Sequence, residues 1–339
     1  MYSNRSTEID YDSVARLFYL GEYRRKLPVS MARMMENAYD WEHLPYIHSS
    51  TFASIEKIDE GSWGWRARVG LRDESSDRFS QSADAVGADD AGQVQDVELL
   101  VDRPRGYWAT TVLKGVGTGV QIHTQATSLG DREIEIAVRF YLPSSYTLQL
   151  KILAALKVML PFAAYRWIAA KAGLGSVSRD TTPAAAVFNV LESQYALLYD
   201  EDLGLMSERQ TALDRRKQTP QSSAGGSEKS ERRDTDERVP VGALADLEAG
   251  AGARVVVFGG RRYAVNRFRD EWIAYAADCP HQFGPLDQAT IDDDGTIACP
   301  WHGYRFDVRS GASHDQKCPA LPASPKIQIE NGQLFLTAG

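Results

Sequence analysis

Cys279-Pro280-His281-Gln282-Phe283-Gly284-Pro285-Leu286 is followed, with 17 residues between its histidine and the next cysteine, by Cys299-Pro300-Trp301-His302-Gly303-Tyr304-Arg305-Phe306-Asp307. The donors repeat as Cys-x-His and then Cys-x-x-His. Two thiolates and two imidazoles suit one of two centres. A zinc ion would take all four donors tetrahedrally. A [2Fe–2S] cluster would divide them, with Cys279 and Cys299 on one iron and His281 and His302 on the other. The divided arrangement suits electron transfer, because neutral imidazoles leave the cluster less negative than four thiolates would and so raise its potential.

Around these loops the chain reads as short strands separated by turn residues. Arg254–Phe258, Arg262–Asn266, Glu271–Ala276, Thr296–Ala298, Tyr304–Asp307, Lys326–Glu330 and Gln333–Thr337 make residues 239–339 an all-β candidate. On its N-terminal side, Thr219 to Glu237 holds Gln, Ser, Gly, Glu, Lys, Arg and Asp and no large apolar residue. This composition reads as a flexible linker, residues 216–238, with an r.m.s. span of about 25 Å.

The two loops and nearly all of the last hundred residues, including Gly311 and the closing Asn331-Gly332-Gln333-Leu334 turn, resemble Rieske proteins. The extra loop cysteines of the respiratory subtype are absent. Tyr304 stands where those members carry a serine that hydrogen-bonds a cluster sulfur. The resemblance is thus to the low-potential ferredoxin and oxygenase subtype. Oxygenase loops usually place Arg-Gly after the first ligand histidine; here Gln282-Phe283 does so, as in ferredoxin-type loops. Cys318 lies beyond the motif and reads as a small core residue or surface thiol, and His314 as a surface residue.

The first two hundred residues have a different order. Ile9–Tyr19 reads as a short helix or strand. Ser30 suits an N-cap for a helix from Met31 to about His43, which Pro45 should end or bend. Strands are expected within 52–69, then over Val97–Val101, Tyr107–Leu113, Gly119–Ser128 and Glu133–Leu142, with Asp73–Gln95 a long exposed loop. Leu148–Ala172 is strongly apolar but contains Lys151, Lys157, Arg166 and Lys171, with Pro161 in its middle. It therefore reads as a helix pair on a sheet or over a cavity rather than a membrane-surface helix, and not as a transmembrane span. A long helix over Pro183–Asp214, broken near Gly204, closes the region. The fold class is α+β, a curved antiparallel sheet that a helix can close into a cavity.

Within this region the stretch Glu36-Asn37-Ala38-Tyr39-Asp40-Trp41-Glu42-His43-Leu44-Pro45-Tyr46-Ile47-His48 holds two of only six histidines. On a helix Asp40 and His43 share a face. His43 and His48, five apart, would point about 140° away from each other on an ideal helix, so they can share a metal only if the helix breaks between them. Pro45 offers that break. Taken alone, the pattern fits metal ligands and satisfied histidines at a pocket mouth equally well.

The stretch resembles the Glu-Asn-x-x-Asp-x-x-His-x-x-x-x-His motif of Rieske non-haem iron oxygenases, the ring-hydroxylating alpha-subunit family. The resemblance implies a helix-grip (START/Bet v 1-like, SRPBCC) catalytic domain over residues 1–215. It implies Fe(II) on His43, His48 and a later carboxylate, Asp202 with Asp200 in reserve, and Asp40 coupling His43 to the cluster. It further implies O₂ as co-substrate and hydroxylation of a hydrophobic or aromatic small molecule by one- or two-oxygen insertion. The family forms ring-like trimers in which electrons cross between subunits, while the linker here would let the cluster dock on its own catalytic domain or on a neighbour's. No Gly-x-Gly-x-x-Gly fingerprint occurs, so NAD(P)H would act through a separate reductase or ferredoxin donor. Typical members place the Rieske domain first; here it comes last, over residues 239–339. His123 reads as structural or surface. The rival reading is a ligand-binding helix-grip domain fused to a Rieske ferredoxin, an electron carrier or redox sensor; a zinc-binding interaction module is a third.

Composition sets the outer bounds. The 339 residues are 43% hydrophobic and 25% charged, as in ordinary globular proteins with two domains. A net charge of −8 gives no nucleic-acid footprint. The polar first twelve residues have no apolar signal-peptide core, and three cysteines are too few for a disulfide framework. Together these lead to the expectation of a cytoplasmic protein.

Overall fold

Ser30 caps the first α-helix, its hydroxyl accepting from Arg33 N. The helix stops at Tyr39, four residues earlier than its pattern suggests, because Asp40 turns extended (ψ 103°). The computed structural model describes all residues except 1, 3, 73–90, 172–177, 179, 219–237, 251, 316 and 339. They form two compact units, Met1–Met206 and Ser207–Gly339.

The first unit runs β1 (Phe18–Leu27), α1 (Met31–Tyr39), α2 (Leu44–Ile47), β2 (Phe52–Gly61), β3 (Gly64–Arg72), β4 (Ala91–Asp102), β5 (Tyr107–Lys114), β6 (Gln121–Gly130) and β7 (Glu133–Leu142). Then follow α3 (Ser144–Met159), α4 (Phe162–Lys171) and α5 (Pro183–Gln218), the unit boundary falling inside α5. All seven strands make one antiparallel sheet in the order β1-β7-β6-β5-β4-β3-β2. Each strand pairs with its sequence neighbour, except that β1 returns to pair with β7. This is the helix-grip, α+β architecture.

Alternation on the strands decides the two faces of the sheet. Ile134, Ile136, Val138 and Phe140 of β7 are fully buried toward α5. The Phe140 ring meets those of Phe188 and Tyr195, with centroids at 6.0 and 5.2 Å. Opposite Phe140 stands Gly21, where a Cβ would lie 2.5 Å from the Phe188 ring; a glycine lets β1 approach α5 this closely. On the other face Arg66 and Glu98 form a buried ion pair at 2.6 Å, which Arg5 joins at 2.9 Å from the N-terminal segment.

Several expectations are corrected. β1, most of it unmarked in the sequence, forms because its inward residues pack against α5. β4 begins at Ala91, so the end of the expected 73–95 loop is strand; residues 73–90 lie outside the described residues. α5 passes through Gly204 without a break and ends at Gln218, where the cost of one glycine, about 1 kcal/mol, is small against a long packed helix. Pro45 does not end a helix; it opens α2 at the first turn, where its missing N–H costs nothing. The described part of the apolar segment, residues 148–171, does form two helices. No described helix is long and apolar enough to cross a membrane.

The second unit carries β8 (Arg238–Ala243), α6 (Leu244–Ala249), β9 (Arg254–Phe258), β10 (Arg261–Phe268), β11 (Glu271–Ala276), β12 (Thr296–Ala298), β13 (Arg305–Asp307), β14 (Lys326–Glu330) and β15 (Gln333–Thr337). Three small sheets result, β11-β10-β9, β12-β13 and β14-β15-β8. Val241, Tyr263, Val265, Ala274, Leu334 and Leu336 form the core beneath them. β8 and α6 carry no marked sequence pattern. The expected linker lies mostly outside the described residues.

Candidate metal centres

The two Cys-His loops are built alike. Cys279 N donates to Gly284 O and Phe283 N to Cys279 O, at 2.8 and 2.9 Å. Cys299 N donates to Tyr304 O and Gly303 N to Cys299 O, each at 2.8 Å. The fourth residue after each cysteine is left-handed, Phe283 at φ 69° and Gly303 at φ 68°. Phe283 thus fills a conformation that favours glycine, at a cost of about 1–2 kcal/mol. Within the same unit the guanidinium groups of Arg209 and Arg216 lie over its ring, at 5.0 and 4.2 Å, and Arg209 donates to Gln282 O at 2.9 Å.

These turns bring the four donors together. Cys279, Cys299 and His302 are buried, and the His281 and His302 rings stand edge to face at 4.6 Å. A hydrogen bond from Cys279 lowers the Cys299 thiol pKa against its burial, while the same bond, with burial, pushes Cys279 up. One thiolate is therefore already favoured where a cation would sit. At Gly284 a Cβ would stand 2.6 Å from Cys299 Sγ, so the backbone cradles the sulfur. Donor set and cradle both fit a [2Fe–2S] cluster. Cys318 is buried, its thiol pushed up by burial and hydrogen-bonded to Cys279, while His314 is exposed.

In the first unit, α2 and α5 supply a second cluster of donors. His43 caps the start of α2 and His48 its end. Both turn their Nε2 atoms to one oxygen of Asp202 on α5, at 3.3 and 3.0 Å from Oδ1. The two rings lie 5.2 Å apart. One ligand atom from each residue falls within 4.8 Å of the others, and all three side chains are buried. Asp202 Oδ1 makes no hydrogen bond of normal geometry among the described residues. Three buried donors facing one point in this way fit a two-histidine, one-carboxylate metal site. Because α2 runs straight through Pro45, the convergence does not come from a break at the proline; the side chains reach it from the two ends of one short helix.

The charges reinforce each other. Burial opposes the His43 imidazolium, yet the neighbouring Asp202 and Asp40 carboxylates raise its pKa to about 10. Burial likewise works against the Asp202 carboxylate, and the two histidines more than offset it, holding its pKa well below the usual range. A metal cation would replace the proton that this arrangement attracts.

Asp40, expected to bridge from His43, lies with Oδ1 3.9 Å from His43 Nδ1, beyond direct hydrogen-bond length, and accepts instead from Glu42 N. Asp200, the reserve ligand, points elsewhere and pairs with Arg25 of β1 at 2.5 Å. Glu201 was not singled out from the sequence. Its Oε2 stands 2.8 Å from His48 Nδ1 and its Oε1 accepts from Ser50 Oγ at 3.3 Å. The only signal for it was its place next to Asp202. His123 lies on the sheet face away from α5. It is buried, with Nδ1 2.7 Å from Tyr107 Oη and Nε2 3.0 Å from Gln121 Oε1, a structural role. Tyr199, buried and hydrogen-bonded to Thr124, stands one turn before Asp202 on α5, with the Tyr195 and Tyr23 rings beside it.

Comparisons with known proteins reach the second unit most directly. Residues 237–328 match the Rieske [2Fe-2S] domain family. The anthranilate 1,2-dioxygenase ferredoxin subunit of Burkholderia cepacia is 32% identical over 104 residues, 30% of this chain and 91% of that protein. Ferredoxin CarAc of Metapseudomonas resinovorans is 29% identical over 94 residues, 28% of this chain and 87% of that protein. Among solved structures, the Zhui aromatase/cyclase from Streptomyces sp. R1128 aligns over 57% of this chain and 95% of its own, with 12% identity and a TM-score of 0.35. Through its second unit, whose loops pair Cys279 with His281 and Cys299 with His302, the chain belongs to the Rieske [2Fe-2S] family.

Proposed function

We propose that the chain is a Rieske-type non-haem iron oxygenase with its domains in reversed order: a catalytic helix-grip domain over 1–215, a linker over 216–238 and an electron-supplying Rieske domain over 239–339. The observation that carries this reading is the meeting of His43 Nε2, His48 Nε2 and Asp202 Oδ1 in one buried spot, in a chain that also has a Rieske domain. When bound, the cluster supplies single electrons and Fe(II) supplies the activation of O₂ for hydroxylation.

The chain's own residues set the conditions. Cys279, His281, Cys299 and His302 hold the cluster. His43, His48 and Asp202 hold the iron and, as a neutral donor pair with one carboxylate, leave coordination positions open. Glu201 orients the His48 ring by accepting from its Nδ1–H, and Asp40 stands on the equivalent side of His43. Burial of all three ligands excludes bulk water, and the Tyr23, Tyr195 and Tyr199 rings favour a hydrophobic or aromatic substrate. The electron donor is a reductase or ferredoxin drawing on NAD(P)H in the cytoplasm, and the chain assembles as a homo-oligomer; two of the matched relatives are ferredoxin components of dioxygenase systems.

Iron analysis tests this reading. The wild-type chain should hold one iron beyond the two of the cluster, and His43→Ala and Asp202→Ala should each lose that iron while keeping the cluster's visible absorbance. Full retention of the extra iron in both variants rejects the assignment. A second reading, a ligand-binding domain fused to a Rieske ferredoxin without oxygen chemistry, is favoured by the ferredoxin relatives and by Gln282-Phe283 in the first loop. It predicts cluster iron alone in the wild type.

A further inference from the structure

The helix pair between β7 and α5 belongs to neither metal centre. Leu153 of α3 and Phe162 of α4 pack inward on Tyr165, Ala169, Ala186 and Val187. The outward side of α3 is also apolar. Leu148, Ile152, Ala155, Val158 and Met159 recur at helical spacing and are exposed, Val158 to 87% and Met159 to 77%. On α4, Trp167 is 66% exposed. A surface helix of a water-soluble fold normally turns charge outward. This one keeps apolar side chains there although its inward side already supplies the core.

The charges of the pair have one sign. From Ser144 to Lys171 there are four cations, Lys151, Lys157, Arg166 and Lys171, and no carboxylate, in a chain of net charge −8. Lys151, Arg166 and Lys171 are exposed; Lys157 is half-buried and donates to Thr181 O at 2.7 Å. The Lys171 ammonium lies 6.0 Å from the Trp167 ring. Exposed aliphatics, a tryptophan and long-stemmed cations without acids form a surface suited to the headgroup boundary of a bilayer. A second copy meeting this patch face to face would bring like charges together.

We propose that α3 and α4 dock on the surface of an anionic phospholipid membrane, with Val158, Met159 and Trp167 entering the interface and Lys151, Arg166 and Lys171 meeting the lipid phosphates. The docking is peripheral, since no described helix is long and apolar enough to cross. It stands independently of the iron assignment.

Vesicle co-sedimentation of the full-length holoprotein tests it. Binding to phosphatidylcholine vesicles containing phosphatidylglycerol should exceed binding to phosphatidylcholine alone by about 10-fold or more at low salt and weaken as salt rises. The variant V158S/M159S/W167S should lose most of that binding, and K151Q/R166Q/K171Q should lose the preference for anionic lipid. Circular dichroism and the cluster absorbance, unchanged in both, would show intact folding. No binding by the wild type, equal binding to the two vesicle types, or wild-type binding by the apolar variant overturns the proposal. So does a wild-type dimer in analytical ultracentrifugation that V158S/M159S/W167S converts to monomer, since a second copy would then be what covers the patch.

Discussion

Glu201 Oε2 lies 2.8 Å from His48 Nδ1, while His48 Nε2 lies 3.0 Å from Asp202 Oδ1. Two consecutive residues of α5 thus engage the two nitrogens of one ring. A carboxylate on the far nitrogen fixes the tautomer and raises the basicity of the ligating one. Glu201→Gln should therefore weaken iron binding by about 10- to 100-fold with little change in the helix signal. Chelator competition measures this, and an unchanged affinity would mean that Glu201 does not support the metal.

Gly284→Ala addresses the other centre. Its Cβ would meet Cys299 Sγ at 2.6 Å and the Trp301 ring at 3.2 Å. Neither can retreat easily, because both are buried and one is a proposed cluster ligand. The variant should purify with most of its cluster absorbance gone while the mononuclear iron site is kept. Wild-type absorbance would show that the loop has slack.

Gly21→Ala probes the grip of β1 on α5. The added methyl should destabilise the protein by about 1–3 kcal/mol. Phe188→Leu in the same chain should recover part of the loss by vacating the ring position 2.5 Å from that methyl. Thermal midpoints of the two single variants and the double variant decide it; strictly additive losses would contradict the contact.

His123 gives a pH dependence with a definite sign. Burial, followed by the Arg139 charge, lowers its pKa from 6.5 to about 4. In the unfolded chain the ring gains a proton near pH 6.5, whereas in the folded chain it stays neutral down to about pH 4. Stability should therefore fall by about 3 kcal/mol as pH drops through that window and level off below it. His123→Gln should flatten this part of the profile when melting is compared with wild type at neutral and mildly acidic pH. A parallel decline in both proteins would assign the acid sensitivity to other groups.

The candidate centres were legible to different degrees. The candidate cluster ligands could be picked out directly, because Cys279 with His281, and Cys299 with His302, sit in short loops whose spacing suits a metal cluster. His43 and His48 were legible as a pair, but the expected kink at Pro45 was not how they converge. Proline is as compatible with a helix's first turn as with its end, and only the fold decides which occurs. β1 was missed because its residues alternate between α5 and the outer charged face with no clear apolar rhythm of their own. The break at Gly204 did not occur because packing outweighed propensity.

The sequence by itself determined the Rieske loops, the antiparallel strand run, the long closing helix and the identity of the histidine pair, since each rests on residues close along the chain. The choice of carboxylate was decided by tertiary structure. Asp200 and Asp202 are chemically equivalent and two apart, so on α5 they point about 200° from each other. Pairing of β1 with β7 places Arg25 to take Asp200 and leaves Asp202 facing His43 and His48. The role of Glu201 followed from the same rotation, because a residue's partners across 150 positions depend on helix phase and sheet closure, which local pattern does not carry.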